Sequence, residues 1–355
     1  MRRPRPALRA LLSCITVTGL SAGLVALGGG GAFAADAAPS RPVSPMPAHV
    51  TAPYFEAWTG ESPAQLAAAS GNKYLTMAFL QTDAAGSCTA YWNGDTTQPV
   101  SKGTFGADIA AIQARGGNVV PSFGGYGADT TGTELADSCT SVDAIAKVYE
   151  SLVTTYGVER IDLDVEADSI NNAAGIDRRN KAIAQVQRWA ERNGRRVQFS
   201  YTLPTTTTGL APNGVALLKN AVDNHARVDV VNIMTFDYWD GSTHDMAADT
   251  ETAGAGLVGQ LAALYPKKSQ AKLWHMVGVT EMPGIDDFGP QETFTTQDAA
   301  KVEQWAEAKG INTLSFWALQ RDNGGCVGTA GSNSCSGIAQ DTWHFSHTFE
   351  PFTRR

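Results

Sequence analysis

An eight-stranded α/β barrel, (β/α)8, is the fold class this sequence predicts, and three observations predict it. Strand-like and helix-like segments alternate from residue 50 to residue 319. Eight strand-like segments fit within roughly 300 residues, the span of one such barrel. An acidic run, residues 159–166, ends the fourth of them, and barrels carry their chemistry at the C-terminal ends of strands. An open doubly wound sheet is the runner-up. It calls for a Gly-rich phosphate loop after its first strand, and Trp58-Thr59-Gly60-Glu61 is not one.

The first strand, 50–58 (VTAPYFEAW), is a β-branched and aromatic run broken by one proline. Ser62-Pro63 opens a short helix over 61–69. The second strand, 73–81 (KYLTMAFLQ), is nearly continuous in apolar residues, as a strand covered on both faces requires. Ile109, Ala111 and Ile112 mark a helix over 104–115, and 117–123 (GNVVPSF) is the third strand. Ser141 caps a helix over 141–156 that Gly157 ends, with Val142, Ile145, Val148, Tyr149 and Leu152 at helical spacing. The fourth strand is 159–166. Ile183, Val186 and Trp189 define a helix over 176–193, closed by Asn193-Gly194. Strands at 196–203, 228–237, 272–279 and 311–319 alternate with helices at 214–226, 252–265 and 297–309. No internal repeat and no second domain is visible.

The fourth strand reads Glu-Arg-Ile-Asp-Leu-Asp-Val-Glu. Side chains at i, i+2 and i+4 of a strand share one face, so Asp162, Asp164 and Glu166 point one way. Ile161, Leu163 and Val165 point the other. Carboxylates about 7 Å apart along one face repel unless they share protons, bind a cation or do chemistry. The flanking apolar residues make this a core strand, so a solvated acidic face does not account for the pattern. A three-carboxylate metal site is the competing chemical reading.

The N-terminus reads as an export signal. Arg2, Arg3, Arg5 and Arg9 precede an apolar stretch from Leu11 to Leu27, and Ala32-Phe33-Ala34 offers a small-x-small cleavage site. Residues 35–47 then read as a Pro-rich leader, and 48–355 as the catalytic barrel. The stretch is short and broken by glycine and hydroxyl residues, which argues against a membrane anchor. The full chain carries a net charge of −8, and losing four arginines takes it to −12. With no basic stripe, nucleic acid is excluded as a partner. Cys14 leaves with the signal, and Cys88, Cys139, Cys326 and Cys335 remain. An even count in an exported chain implies two disulfides. Cys326–Cys335 would close the short loop between them, leaving Cys88–Cys139 by elimination. A four-cysteine zinc site lacks Cys-x-x-Cys spacing.

The run 159–166 resembles the Asp-x-x-Asp-x-Asp-x-Glu signature of glycoside hydrolase family 18, the chitinase family. Ser122-Phe123-Gly124-Gly125 is similar to the family's Ser-x-Gly-Gly on the third strand. Met234-Thr235-Phe236-Asp237 resembles Met-x-Tyr-Asp on the sixth, and Ser315-Phe316-Trp317 resembles the eighth. The resemblance covers about residues 50–345. It implies a secreted, monomeric chitinase that needs no metal and no cofactor and acts on β-1,4-linked N-acetylglucosamine by substrate-assisted retaining catalysis. Glu166 would be the general acid, its proton affinity raised by repulsion from Asp164. Asp164 would orient the substrate's acetamido group, Asp162 would share a proton with Asp164, and Asp237 would reach from the opposite wall. Trp317 would floor the central subsite, with Met234 beside it.

Two departures stand out. Glu159 and Arg160 replace the signature's first Asp and the Gly after it, at a level expected deep in the barrel. Phe236 replaces a tyrosine whose hydroxyl helps hold the acetamido group, and Tyr201 or Tyr238 would have to supply it. Gly124 and Gly125 would let backbone approach the sugar. Trp58, Tyr126, Trp239 and Trp274 fall near expected strand ends and are candidate subsites, with packing as the competing reading. Trp92, in a polar loop, is an exposed candidate with the same competitor. Trp189 and Trp305 read as core. The alternatives to a chitinase are an endo-β-N-acetylglucosaminidase acting on N-glycans and a catalytically silent sugar-binding barrel. The silent relatives usually lack the final glutamate, and Glu166 is present.

Overall fold

The computed structural model describes residues 45–354. The expected signal segment, its cleavage site and most of the Pro-rich leader lie outside the described residues.

Eight parallel strands close on themselves. The first runs in two pieces, Val50–Thr51 and Tyr54–Glu56. Val50–Thr51 pairs with the eighth strand, Thr313–Phe316, and Tyr54–Glu56 pairs with the second, Tyr74–Thr82. Pro53, which has no N–H to give to a ladder, falls at the changeover. Around the barrel follow Asn118–Gly124, Arg160–Asp164, Gln198–Pro204, Val230–Met234 and Val277–Glu281, each beside its sequence neighbour. All eight expected strands are present, and the barrel, not the open sheet, is the fold.

Period two separates the two faces of each strand. Ile161, Leu163 and Val165 are fully buried under the helix layer. They meet the apolar faces of Val142–Tyr156 and Ala173–Arg192, whose buried residues include Ile145, Tyr149, Leu152, Ile183 and Val186. The inward face is polar: Ser122, Asp162, Ser200, Thr202, Asn232 and Thr280 meet inside the barrel. Ser141 accepts the Ala144 N–H and Gly157 ends that helix at φ 69°, as expected.

One strand begins later than its sequence suggests. Residues 272–276 read as the start of the seventh strand, but Gln270–Trp274 is a helix and the strand is Val277–Glu281. Ser269 caps that helix by accepting the Lys272 N–H. Leu273 and Met276, three apart, are both buried, a helical spacing inside a run that also alternates. Trp274 is therefore not at a C-terminal strand end. It packs edge-on against Trp305 at 5.8 Å. Trp92 is also corrected: it is fully buried, and its Nε1 donates to the Tyr156 hydroxyl at 3.2 Å.

Both expected disulfides are formed. Cys88–Cys139 ties the loop after the second strand to the end of a short helix, Leu135–Ser138. Cys326–Cys335 closes a loop after the eighth strand. Residues 280–296 hold a small hairpin, Gly284–Asp286 with Gly289–Phe294. No helix among the described residues is long and apolar enough to cross a membrane.

Candidate active site

The acidic column stands on the inner face of the fourth strand and runs past its end. In register, Asp162 lies beside Ser122 and Ser200, and Asp164 beside Gly124 and Thr202. Asp162 is buried and accepts four hydroxyls. Ser200 donates to Oδ1 at 2.5 Å, Ser122 to Oδ2 at 2.8 Å, Tyr54 to Oδ2 at 3.0 Å and Thr202 to Oδ1 at 3.0 Å. Burial raises its proton affinity and these hydroxyls pull against that rise, leaving it above the ordinary carboxyl value.

Asp164 has no such compensation. Its Oδ1 has no hydrogen-bond partner, and burial, then repulsion from Glu166, Asp162 and Asp129, raises its pKa well above the usual range. Glu166 lies two residues past the strand's end and is partly exposed. Its pKa is pushed up to about 7, by burial, against a hydrogen bond from the Tyr126 N–H. The expected cause was repulsion from Asp164. Burial is the larger cause, and the repulsion between Asp164 and Glu166 is shared by the pair.

An aromatic cluster adjoins the acidic column through Tyr54. Trp317 lies just past the eighth strand, half-buried, with its ring 5.5 Å from Phe79 and 10° from parallel. Tyr54 and Trp58 approach it at 5.6 and 6.1 Å. Its Nε1 donates to Asn333 Oδ1 at 3.2 Å. Trp58, Tyr126 and Trp239 are exposed, as candidate subsites must be. A cleft of about 1050 Å³ lined by Glu56, Trp58, Gln320, Asn333 and Trp343 adjoins Trp58.

Both glycines are required by protein neighbours. A Cβ on Gly124, at φ 98°, would lie 2.0 Å from the Asp164 carbonyl oxygen. One on Gly125, at φ 80°, would lie 2.5 Å from the Phe79 ring that underlies Trp317. The close neighbours of these positions are the fourth strand and an aromatic ring.

The opposite wall follows the sixth strand. Met234 is buried, Phe236 is buried after it, and Asp237 turns the chain at φ 54°. The Asp237 N–H donates to Asp286 Oδ2 at 3.1 Å. Burial, then repulsion from Asp286, Asp287 and Glu292, lifts Asp237 to about 8. Neither tyrosine nominated to replace the Phe236 hydroxyl presents one to the cleft. Tyr201 faces outward, because Ser200 and Thr202 face in, and its hydroxyl donates to Asn180 Oδ1 at 2.7 Å. The Tyr238 hydroxyl is buried without a partner, and burial, then repulsion from Glu281, raises its pKa.

Glu159 is not deep in the barrel: it is half-buried and accepts the Met46 N–H at 2.8 Å. Arg160 is the deep residue. It is buried and donates to Gln198, Asn312 and Thr313. Sequence reasoning missed further buried acids, Asp129, Glu56, Glu281 and Asp286 among them. Asp129 touches the Glu166 backbone, while Glu56, Glu281 and Asp286 lie at or past strand ends. Their positions just after strands were the available signal.

Comparison with known proteins bears on this arrangement. The sequence matches the family model described as "Glycosyl hydrolases family 18" over residues 50–280. It is 32% identical over 330 residues to the "Probable bifunctional chitinase/lysozyme" of Escherichia coli (strain K12), covering 88% of this chain and 36% of that protein. It is 32% identical over 294 residues to "Endochitinase 11" of Metarhizium anisopliae, covering 79% of this chain and 54% of that one. The chain thus spans about a third to a half of the length of these curated relatives. Among solved structures, the catalytic domain of the hyperthermophilic chitinase from Pyrococcus furiosus superposes with a TM-score of 0.76 at 30% identity, over 88% of this chain and 97% of that one.

Proposed function

This chain belongs to the glycosyl hydrolases of family 18, and we propose that it is a chitinase that cleaves β-1,4 linkages between N-acetylglucosamine units by substrate-assisted retaining catalysis. The observation that carries the proposal is Glu166. It stands partly exposed at the C-terminal end of the barrel with a pKa near 7, at the head of a column of buried acids. A carboxyl in that state holds a proton it can give up.

In this reading Glu166 donates its proton to the glycosidic oxygen and the bond to the anomeric carbon breaks. The acetamido carbonyl oxygen of the same sugar attacks that carbon from the other side, forming an oxazolinium ion. Glu166, now a carboxylate, takes a proton from the water that opens it. Asp164 Oδ1, which lacks a protein partner, accepts the acetamido N–H. Asp162 is held by its four hydroxyls beneath Asp164, and Asp237 faces the sugar from the sixth strand. Trp317 offers its face to the pyranose ring. Export belongs to the same proposal, supported by the basic and apolar N-terminal pattern and the two disulfides.

Product release from a chitooligosaccharide tests the reading. Glu166→Gln should lower kcat by at least about 100-fold, the usual range for loss of a general acid. Wild-type kcat should fall as pH rises past about 7, because the acid is then ionised. Fresh product should carry the β configuration. Equal rates from wild type and Glu166→Gln would sink the enzymatic reading.

A further inference from the structure

Asp129 is the acid most closely joined to Glu166. It lies in the short helix Tyr126–Thr131, which follows Gly124-Gly125, and is 1% exposed. Its Oδ2 accepts the Glu166 backbone N–H at 2.5 Å. From the same helix the Tyr126 N–H lowers the proton affinity of the Glu166 carboxyl group. One short element therefore holds the Glu166 backbone and acts on its carboxyl group. On the far side, the Glu166 carbonyl accepts the Ile170 N–H at 3.0 Å. These contacts fix a peptide that stands beyond the last ladder bond of the fourth strand, where nothing else in the sheet would hold it.

The chemistry of Asp129 is set by its neighbours. Glu134 faces it from the start of the next helix, Asp164 and Glu166 from the fourth strand, and Arg179 from the helix Ala173–Arg192. Arg179 is committed to Glu134 at 2.6 Å and lies 3.6 Å from Asp137. Asp129 Oδ1 has no partner. A buried carboxylate with three acidic neighbours, one backbone donor and a shared cation favours its neutral form. Burial, then Glu134 and Glu166, lift it to about 9, against the pull of the Glu166 N–H and Arg179.

We propose that Asp129 is a positioning residue for the general acid, a hydrogen-bond acceptor that fixes the Glu166 peptide and so aims its carboxyl group at the glycosidic oxygen. The proposal rests on the reading of Glu166 as the general acid. Asparagine offers the same pattern, one acceptor oxygen and one atom bearing hydrogen, so Asp129→Asn is the conservative variant. Alanine removes the acceptor.

The test compares wild type, Asp129→Asn, Asp129→Ala and Glu166→Gln on a chitooligosaccharide, with kcat and KM measured from pH 4 to 9. Asp129→Ala should lose about 10- to 100-fold in kcat with KM nearly unchanged, the mark of a misplaced reacting group. Asp129→Asn should stay within about 3-fold of wild-type kcat, with the upper limb of its pH profile unmoved. An Asp129→Asn variant as damaged as Asp129→Ala, or one whose upper limb shifts, overturns the acceptor role. This arm decides the matter even if Asp129→Ala does not fold. Wild-type kcat in a folded Asp129→Ala also overturns it. If Glu166→Gln abolishes product release while Asp129→Ala does not, only the positioning role falls. If Glu166→Gln matches wild type, the reading of function falls and takes this proposal with it.

Discussion

At the residue scale the site is a contest between burial and hydrogen bonding, decided separately for each acid. Asp162 illustrates it, since burial raises its pKa and the Ser200 hydroxyl is the largest force lowering it. Ser200→Ala should therefore let Asp162 keep its proton to higher pH. Hydrogen bonds to charged groups contribute about 1.5–3 kcal/mol, so the acid limb of kcat should move up by about one pH unit. The fold should survive, because three other hydroxyls still satisfy Asp162. A pH–kcat profile of Ser200→Ala with an unmoved acid limb would remove the Asp162 charge from the mechanism. The column itself was legible because strand period two marks Asp162, Asp164 and Glu166 directly. The same period, applied once Ser200 and Thr202 are known to face in, sends Tyr201 outward, but the sequence alone does not say which face is inside. Asp129 left no such mark. Its contact joins a side chain to a backbone N–H 37 residues away, and no periodicity encodes that.

At the scale of elements, the turn that ends the third strand sets how closely the third and fourth strands can approach. The Gly125 N–H donates to the Asp164 carbonyl at 3.1 Å, and that carbonyl fills the space a Gly124 side chain would need. Gly124→Ala combines a left-handed backbone with a Cβ clash against another strand's main chain, which cannot yield as a flexible side chain would. Strain of about 1–3 kcal/mol from the backbone and a similar amount from overpacking should reduce stability by about 3 kcal/mol or more. Urea unfolding measures it, and a midpoint equal to wild type would refute the packing account. The strands were legible because β-branched and aromatic runs sit between capped helices with glycine stops. The seventh failed at its start because Leu-Trp-His-Met-Val satisfies both periods, and the Ser269 cap decided for helix. The helix Met246–Leu264 likewise starts earlier than its apolar pattern suggests, where Asp245 accepts the Ala248 N–H.

At the scale of the whole molecule, the buried acids add up to a proton balance. Glu56, Glu166 and Asp286 are each pushed to about 7, Glu281 and Asp237 to about 8, and Asp129 to about 9, in every case chiefly by burial. Unfolded carboxyls titrate near 4. Between about pH 4 and pH 8 the folded chain therefore binds more protons than the unfolded one. The slope of unfolding free energy with pH follows protons bound in the unfolded state minus those bound in the folded state, so here it is negative. Stability is greatest on the acid side of this window and is lost as pH rises through the folded values. His275, lowered by burial, works the other way near pH 6, and the lowered acids Asp95, Asp177 and Asp240 oppose it only at lower pH. These are fewer and their effect is smaller, and as the buried acids ionise the net charge grows toward its formal −8, which adds repulsion. Thermal unfolding should thus give its highest Tm near about pH 5 and a fall of at least several degrees by about pH 8. Glu281→Gln should flatten that fall, because a neutral side chain that still accepts the Thr250 hydroxyl carries no proton to lose. A Tm that rises or stays level between pH 5 and 8 would mean that these carboxyls are ionised inside the fold, and the proton held on Glu166 near neutrality would then need another explanation than burial.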